Sequence, residues 1–368
     1  MKIVTLFGTR PEIIRLSQIA KYLDRFCEQI MVHTGQNYDP ALSDTFFTDM
    51  DLRGPDIHLG IQADDFAEQV SEILTRSDKV LRETKPDRVL ILGDTNSGLA
   101  AIVASRLGIP VYHLEAGNRC YDDRVPEEIN RRIIDHTSAV LMPYTHRSKD
   151  NLVREGILRE RIFVVGNPIH EVLEAHSGEI AATDVFERLD VAPGGYFLCT
   201  LHRAENVDIP ERLGSILGGL ELVADSFETK LLVSLHPRTA DRIARSGLEV
   251  ASERVVMLEP LRFFDFVALE KNARCLLSDS GTVQEECCLF NVPSVTLRDV
   301  TERPETIECG SNILTGPEPE KIRAAVEQVI GTTTKWHAPP EYLADNVSAA
   351  VGKILLGHRD AVHRYSHV

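Results

Sequence analysis

Ionisable and glycine-bearing residues gather at a few points in this chain, and their types point to two kinds of chemistry. Asp94, Glu115, Glu127 and Glu128 form an acidic set in the first half. Glu127 and Glu128 follow Pro126, a residue suited to the first turn of a helix. Acids there also complement the helix dipole, and Asp94 alone reads equally well as a loop cap. Carboxylates drawn into one pocket repel each other unless protons or cations relieve them. Such a group acquires raised pKa values and becomes fit for acid–base work.

Two other segments suit phosphate. Gly8-Thr9-Arg10-Pro11-Glu12 combines a glycine for close backbone approach, an arginine, and a proline that can start a helix. Ser280-Gly281-Thr282 opens a helix continuing through Val283-Gln284-Glu285-Glu286. A helix N-terminus presents free N–H groups and partial positive charge to a diphosphate, although Ser280 also serves as an ordinary N-cap. His202-Arg203 and His236-Pro237-Arg238 join imidazole to guanidinium, a pairing for an anion rather than a metal. No HExxH, CxxC or spaced Cys/His set is present, so no metal is expected. GxGxxG and Walker motifs are absent too, which argues against nicotinamide and ATP. His113, inside an apolar run, reads as a core histidine, and Cys287-Cys288 as packing residues.

These residues need elements to hold them. Apolar runs recur at 2–7, 29–33, 88–92, 110–114, 139–142 and 161–165, then at 196–200, 230–235, 254–258, 274–277, 293–297 and 312–314. Helix-like segments such as 11–23, 66–83, 97–107 and 211–224 lie between them. That alternation predicts an α/β protein with parallel sheets covered by helices on both faces. Two sets of six strands in 368 residues predict two Rossmann-like domains facing across a cleft. The expected boundaries are 1–168 and 169–353, with a C-terminal helix over 354–368 returning to the first domain. Ligands bind beyond the carboxyl ends of such strands, where the residues named above fall.

Composition narrows the partners. Lys+Arg 40 against Asp+Glu 56 gives a net charge of −16, unsuited to nucleic acid or an anionic membrane. The N-terminus reads as a buried strand rather than a signal peptide, and seven cysteines without regular spacing give no disulfide framework. A cytoplasmic protein is expected.

Taken in order, Gly8-Thr9-Arg10-Pro11-Glu12, Gly93-Asp94-Thr95, Glu115-Ala116-Gly117, Pro126-Glu127-Glu128-Ile129-Asn130-Arg131, His202-Arg203-Ala204-Glu205-Asn206, the stretch from Asp279 to Glu286 and the stretch from Arg298 to Glu305 form a joint signature. It resembles the non-hydrolysing UDP-N-acetylglucosamine 2-epimerase family from Lys2 to about Gly316. The resemblance implies a GT-B-like fold, a homodimer, a UDP-sugar substrate and no cofactor. It implies inversion at C2 by anti elimination of UDP to a 2-acetamidoglucal, followed by re-addition. Asp94, Glu115 and Glu127 would then serve as acid–base groups, and Arg10, His202, Ser280 and the helix from Gly281 would hold the diphosphate. Glu286 would bind ribose and Phe266 would stack on uracil. Arg303 would contact sugar or phosphate, and Arg15 occupies a substrate-side position where the family usually has Lys.

Some positions depart from the common pattern. Asn118 replaces a usual Leu, Leu261 replaces a Gln, and Gln36-Asn37-Tyr38 replaces a Gln-His pair associated with allosteric activation. No strict need for a UDP-GlcNAc activator is therefore expected. The strings at 93–97 and 118–126 look closer to the UDP-N-acetyl-L-fucosamine synthase branch, which performs the same inversion on a 6-deoxy sugar. A hydrolysing 2-epimerase, a GT-B glycosyltransferase and a silent sugar-nucleotide binder are the remaining alternatives. The retained acids argue against the last two.

Overall fold

The computed structural model describes residues 1–35, 46–63, 65–332 and 335–358. The chain divides into two compact units. One comprises Met1–Ala175 together with the segment from Pro340 onward, and the other His176–Pro339.

In the first unit the strands are β1 (Lys2–Phe7), β2 (Glu28–His33), β3 (Ile57–His58), β4 (Arg88–Leu92), β5 (Val111–Leu114) and β6 (Val140–Met142). All pair in parallel, in the order β3-β2-β1-β4-β5-β6. In the second unit they are β7 (Tyr196–Leu201), β8 (Lys230–Leu235), β9 (Val255–Leu258), β10 (Cys275–Ser278), β11 (Ser294–Thr296) and β12 (Asn312–Leu314). Their order, β12-β11-β10-β7-β8-β9, is the same winding read from the other edge. Each sheet therefore reverses direction once, between β1 and β4 and between β7 and β10. Those switch points are where doubly wound sheets open a crevice for ligand.

One expected strand is corrected. Residues 161–165 form no strand. Ile162 makes only an isolated bridge to Leu141. The sixth strand of the first sheet is Ile57–His58, which pairs with Val32 and His33 at the opposite edge.

The strands are apolar because both faces are covered. Val4, Leu6, Val89, Ile91 and Val111 join Ile73, Leu81 and Ala101 in one core. Phe197, Cys199, Leu231, Val233 and Leu277 join Leu213, Leu217, Leu220 and Ile322 in the other. Burying each large aliphatic side chain contributes ~1.5–3 kcal/mol. The first unit keeps the helix Ile169–Ala175, which packs on the helix Arg10–Phe26, so the chain leaves it after Ala175 rather than at 168. It is completed by the helix Val347–Gly357, which packs on the same Arg10–Phe26 helix. Residues 36–38 and 359–368 lie outside the described residues. Among those described, no helix is long and apolar enough to cross a membrane.

Candidate active site

At the first switch point, β1 runs into Gly8-Thr9 and the helix Arg10–Phe26, and β4 runs into Gly93-Asp94-Thr95. Glu12 joins the two ends. One carboxylate oxygen accepts from the backbone N–H of Gly8 (3.0 Å), the N–H of Thr9 (2.7 Å) and the Thr9 hydroxyl (2.8 Å). The other accepts from Thr95 Oγ1 at 3.0 Å. Burial pushes the Glu12 carboxyl up to about 7, although these hydrogen bonds pull against it. Arg10 begins the helix, its guanidinium 5.4 Å from the Phe46 ring centroid.

The acidic set assembles beside it. Desolvation raises the Asp94 carboxyl above its usual range, and the Glu115 and Glu127 charges raise it further while Arg131 pulls it down. Arg131 bonds the Asp94 carboxylate through Nε at 3.1 Å and through its terminal nitrogen. Arg15 bonds Glu115 Oε2 at 2.8 Å and reaches the Tyr144 hydroxyl at 3.3 Å. Asn118 donates to the other Glu115 oxygen at 3.1 Å.

Glu115 itself has φ +69°. A non-glycine residue in that region costs about 1–3 kcal/mol and persists only where its surroundings enforce it. Gly117, at φ +81°, completes the turn. A Cβ there would stand 2.3 Å from the Ser148 carbonyl oxygen, so no larger residue fits.

The two neighbouring glutamates separate cleanly. Glu128 is fully buried. It accepts from the Cys120 N–H (3.1 Å), the Tyr121 N–H (3.2 Å) and Arg131 (2.7 Å), pinning the 118–125 loop to its helix. Burial opposes its charge, but those contacts hold its carboxyl below the usual range. Glu127, half-buried on the first turn of the helix Pro126–Thr137, is the one whose charge reaches Asp94.

At the second switch point the arrangement changes. Asp279, following β10 and fully buried, accepts from the N–H groups of His202 (3.1 Å) and Arg203 (3.0 Å) and from Asn206 (3.1 Å). Its Oδ1 lies 3.3 Å from His202 Nδ1. The ends of β7 and β10 are thereby tied, and His202 keeps a third of its side chain exposed. Ser280 caps the ten-residue helix Gly281–Phe290, and its hydroxyl lies 2.8 Å from that of Thr282. Arg303 lies across this helix start, its Cζ 3.8 Å from where a Cβ on Gly281 would sit, and its Nε bonds Glu285. Glu286 is buried on the same helix and contacts Glu270, whose carboxyl is pushed well up by burial and by Glu286. Phe266 is half-buried on the helix Phe263–Lys271 that carries Glu270.

The family model described as UDP-N-acetylglucosamine 2-epimerase matches residues 22–356. A UDP-N-acetylglucosamine 2-epimerase of Methanocaldococcus jannaschii is 42% identical over 348 residues, covering 92% of this chain and 95% of its own. The chain belongs to the UDP-N-acetylglucosamine 2-epimerase family. It is an isomerase. The M. jannaschii UDP-GlcNAc 2-epimerase in complex with UDP-GlcNAc and UDP superposes with a TM-score of 0.92 at 40% identity, covering 97% of this chain and 99% of that one. A Pseudomonas aeruginosa member, a UDP-2,3-diacetamido-2,3-dideoxy-D-glucuronate 2-epimerase, is 36% identical over 336 residues, covering 90% of this chain and 93% of its own.

Three residues of this epimerase site had no role assigned from sequence. Glu12 had a usable signal, since Thr9-x-x-Glu12 is a capping-box pattern. Arg131 lies four residues beyond Glu127 and three beyond Glu128, within reach of either across one helical turn. Asp279 directly follows an apolar run, where ligand-end residues are expected.

Proposed function

We propose that this isomerase reversibly inverts C2 of a UDP-linked 2-acetamido sugar, with UDP-GlcNAc and UDP-ManNAc as first choice. One carboxylate among Asp94, Glu115 and Glu127 takes the C2 proton. The C2–H electron pair becomes the C1=C2 bond of a 2-acetamidoglucal, and the C1–O bond breaks with its electrons passing to UDP. A proton then returns to the opposite face of C2 and the diphosphate oxygen re-forms the bond at C1.

The observation supporting this most is the electrostatic coupling of Asp94 to both Glu115 and Glu127. Two faces of a sugar need acid–base groups, and a simple nucleotide-binding site would have no use for three neighbouring acids. Arg131 and Arg15 relieve their repulsion without consuming all of it. In the second unit we assign the diphosphate to His202, Ser280 and the N–H groups opening the helix at Gly281. Glu286 is assigned to ribose, Phe266 to uracil, Arg303 to the sugar or phosphate side and Arg10 to the diphosphate.

The 6-deoxy substrate of the fucosamine branch is a second reading, favoured by Asn118. That residue departs from the common pattern and bonds an oxygen of Glu115 directly. Proton NMR of the enzyme with UDP-GlcNAc, and separately with the 6-deoxy sugar nucleotide, in heavy water tests both. Epimer formation with deuterium at C2 is expected. Free sugar plus UDP would indicate hydrolysis, and no C2 exchange with either substrate would overturn the proposal. Repeating the assay with added UDP-GlcNAc should give hyperbolic kinetics, whereas a sigmoidal dependence would reveal an activator site.

A further inference from the structure

A buried polar pair outside the acidic set touches both loops that carry it. His113, on β5, is fully buried. A buried imidazole is costly unless both nitrogens are satisfied. Its Nε2 lies 2.8 Å from the Gly93 carbonyl oxygen and its Nδ1 lies 2.7 Å from Asp135 Oδ1. The carbonyl can only accept, so Nε2 carries a proton. Asp135, on the helix Pro126–Thr137, also accepts the Gly117 N–H at 3.2 Å and faces an Arg119 nitrogen at 2.8 Å. Burial opposes its charge, but His113 first and Arg119 second hold its carboxyl below the usual range. The imidazole thus bridges the Gly93 carbonyl and the Asp135 carboxyl.

What the bridge holds matters more than its own chemistry. Gly93 immediately precedes Asp94 and sits at φ +74°. Gly117 closes the turn that keeps Glu115 at φ +69°. The backbone of Asp94 is fixed on its far side by Asn130, which donates to the Asp94 carbonyl at 3.0 Å. The two acid-bearing segments are thus fastened to a single His–Asp pair, one at a carbonyl and the other at an amide.

We infer that His113 and Asp135 are positioning residues that hold Asp94 and Glu115 in register with each other across the ends of β4 and β5. This rests on the proposal that those acids transfer protons at C2. Neither His113 nor Asp135 needs to reach substrate.

The test separates the two bonds. His113→Gln places a donor near the Nε2 position and loses Asp135. His113→Asn places one near Nδ1 and loses Gly93. Asp135→Asn keeps the shape and weakens its contacts with His113, Gly117 and Arg119. Each should lower kcat and C2 deuterium exchange by about tenfold or more, since displacements near 1 Å cost that and beyond, while KM and the Kd for UDP stay within about threefold. The double variant His113→Gln/Asp135→Asn should be no slower than its worse single, because both residues act through one bridge.

Folded variants with kcat within about twofold of the parent would overturn the inference. So would losses of kcat matched by equal losses of UDP affinity. Where the His113 variants do not fold, the wild-type protein still decides. Histidine-labelled NMR must find a hydrogen-bonded Nε2 proton on His113, and its absence rules out the bridge. Asp94→Asn and Glu115→Gln serve as controls. If they keep normal turnover the acid–base proposal fails, whereas if they lose it and the His113 and Asp135 variants do not, only the positioning inference fails.

Discussion

The ends of β1 and β4 and the ends of β7 and β10 occupy the same place in two sheets wound alike, yet they use charge in opposite ways. At the first, the charges of Glu115 and Glu127 add to burial in raising the proton affinity of Asp94, while Arg131 pulls it down and Arg15 pairs with Glu115. At the second, Asp279 is consumed entirely inside the protein by the N–H groups of His202 and Arg203 and by Asn206. Beside it stand His202, Arg303 and the start of the helix at Gly281, the groups proposed to hold an anion. Identical topology therefore does not dictate identical chemistry. The fold supplies a crevice at each switch point, and the proposed division between proton transfer and phosphate binding rests on the residues at four strand ends.

The largest expected effect separates these two ends most sharply. Asp94→Asn, Glu115→Gln or Glu127→Gln should each cut turnover by roughly 10²–10⁴. UDP affinity measured by calorimetry should stay within about threefold, because proton-transfer groups add little to nucleotide binding. Normal turnover in all three variants would break the comparison at its acidic side.

Next comes a stability effect confined to the acidic end. With Glu12 raised to about 7 from 4.5, both folded and unfolded chains hold its proton below pH 4.5. Between those values only the folded chain retains it, so stability falls as pH rises through this window. The full loss of about 3 kcal/mol is reached above it. Glu12→Gln, a mimic of the protonated acid able to donate to Thr95, should lack this loss. Denaturation midpoints of both proteins at pH 5 and pH 8 decide it, and parallel changes in the two would show that Glu12 does not titrate there.

The smallest effects belong to the phosphate end. His202→Gln should weaken UDP binding by about tenfold. Ser280→Ala should do so by only about threefold, since the helix N–H groups remain. If His202→Gln leaves UDP affinity intact but slows turnover as Asp94→Asn does, the division between the two ends is wrong.

Eleven of the twelve strands were legible as apolar runs because burial on both faces leaves little room for anything else. The run at 161–165 failed because apolar character marks burial and not pairing, and Ile162 is buried beside β6 with only one bridge. Ile57–His58 was invisible, being two residues long and flanked by Gly, Pro and Asp. At the site, the residues proposed to face ligand stood out by type. Their supports did not. Glu12 with Thr95, Arg131 with Asp94 and Asp279 with His202 are contacts across tens of residues, which a local pattern does not encode. Glu127 and Glu128 show the same limit, since adjacent identical residues diverge only once the helix gives them different faces.

The helix Val347–Gly357 also sets the order in which this protein is made. Gly352 lies so close to Tyr22 that a Cβ would stand 2.3 Å from its ring, and Arg88 on β4 donates to the carbonyls of Leu355 and His358. That helix emerges from the ribosome only after the whole of the second unit. At ~5–20 residues per second, the first sheet waits roughly 10–40 s with that side of the Arg10–Phe26 helix uncovered. The second unit, contiguous in the chain, can finish first although it begins later. Nascent chains stalled near Pro339 should therefore expose an apolar face to chaperones that the finished protein hides.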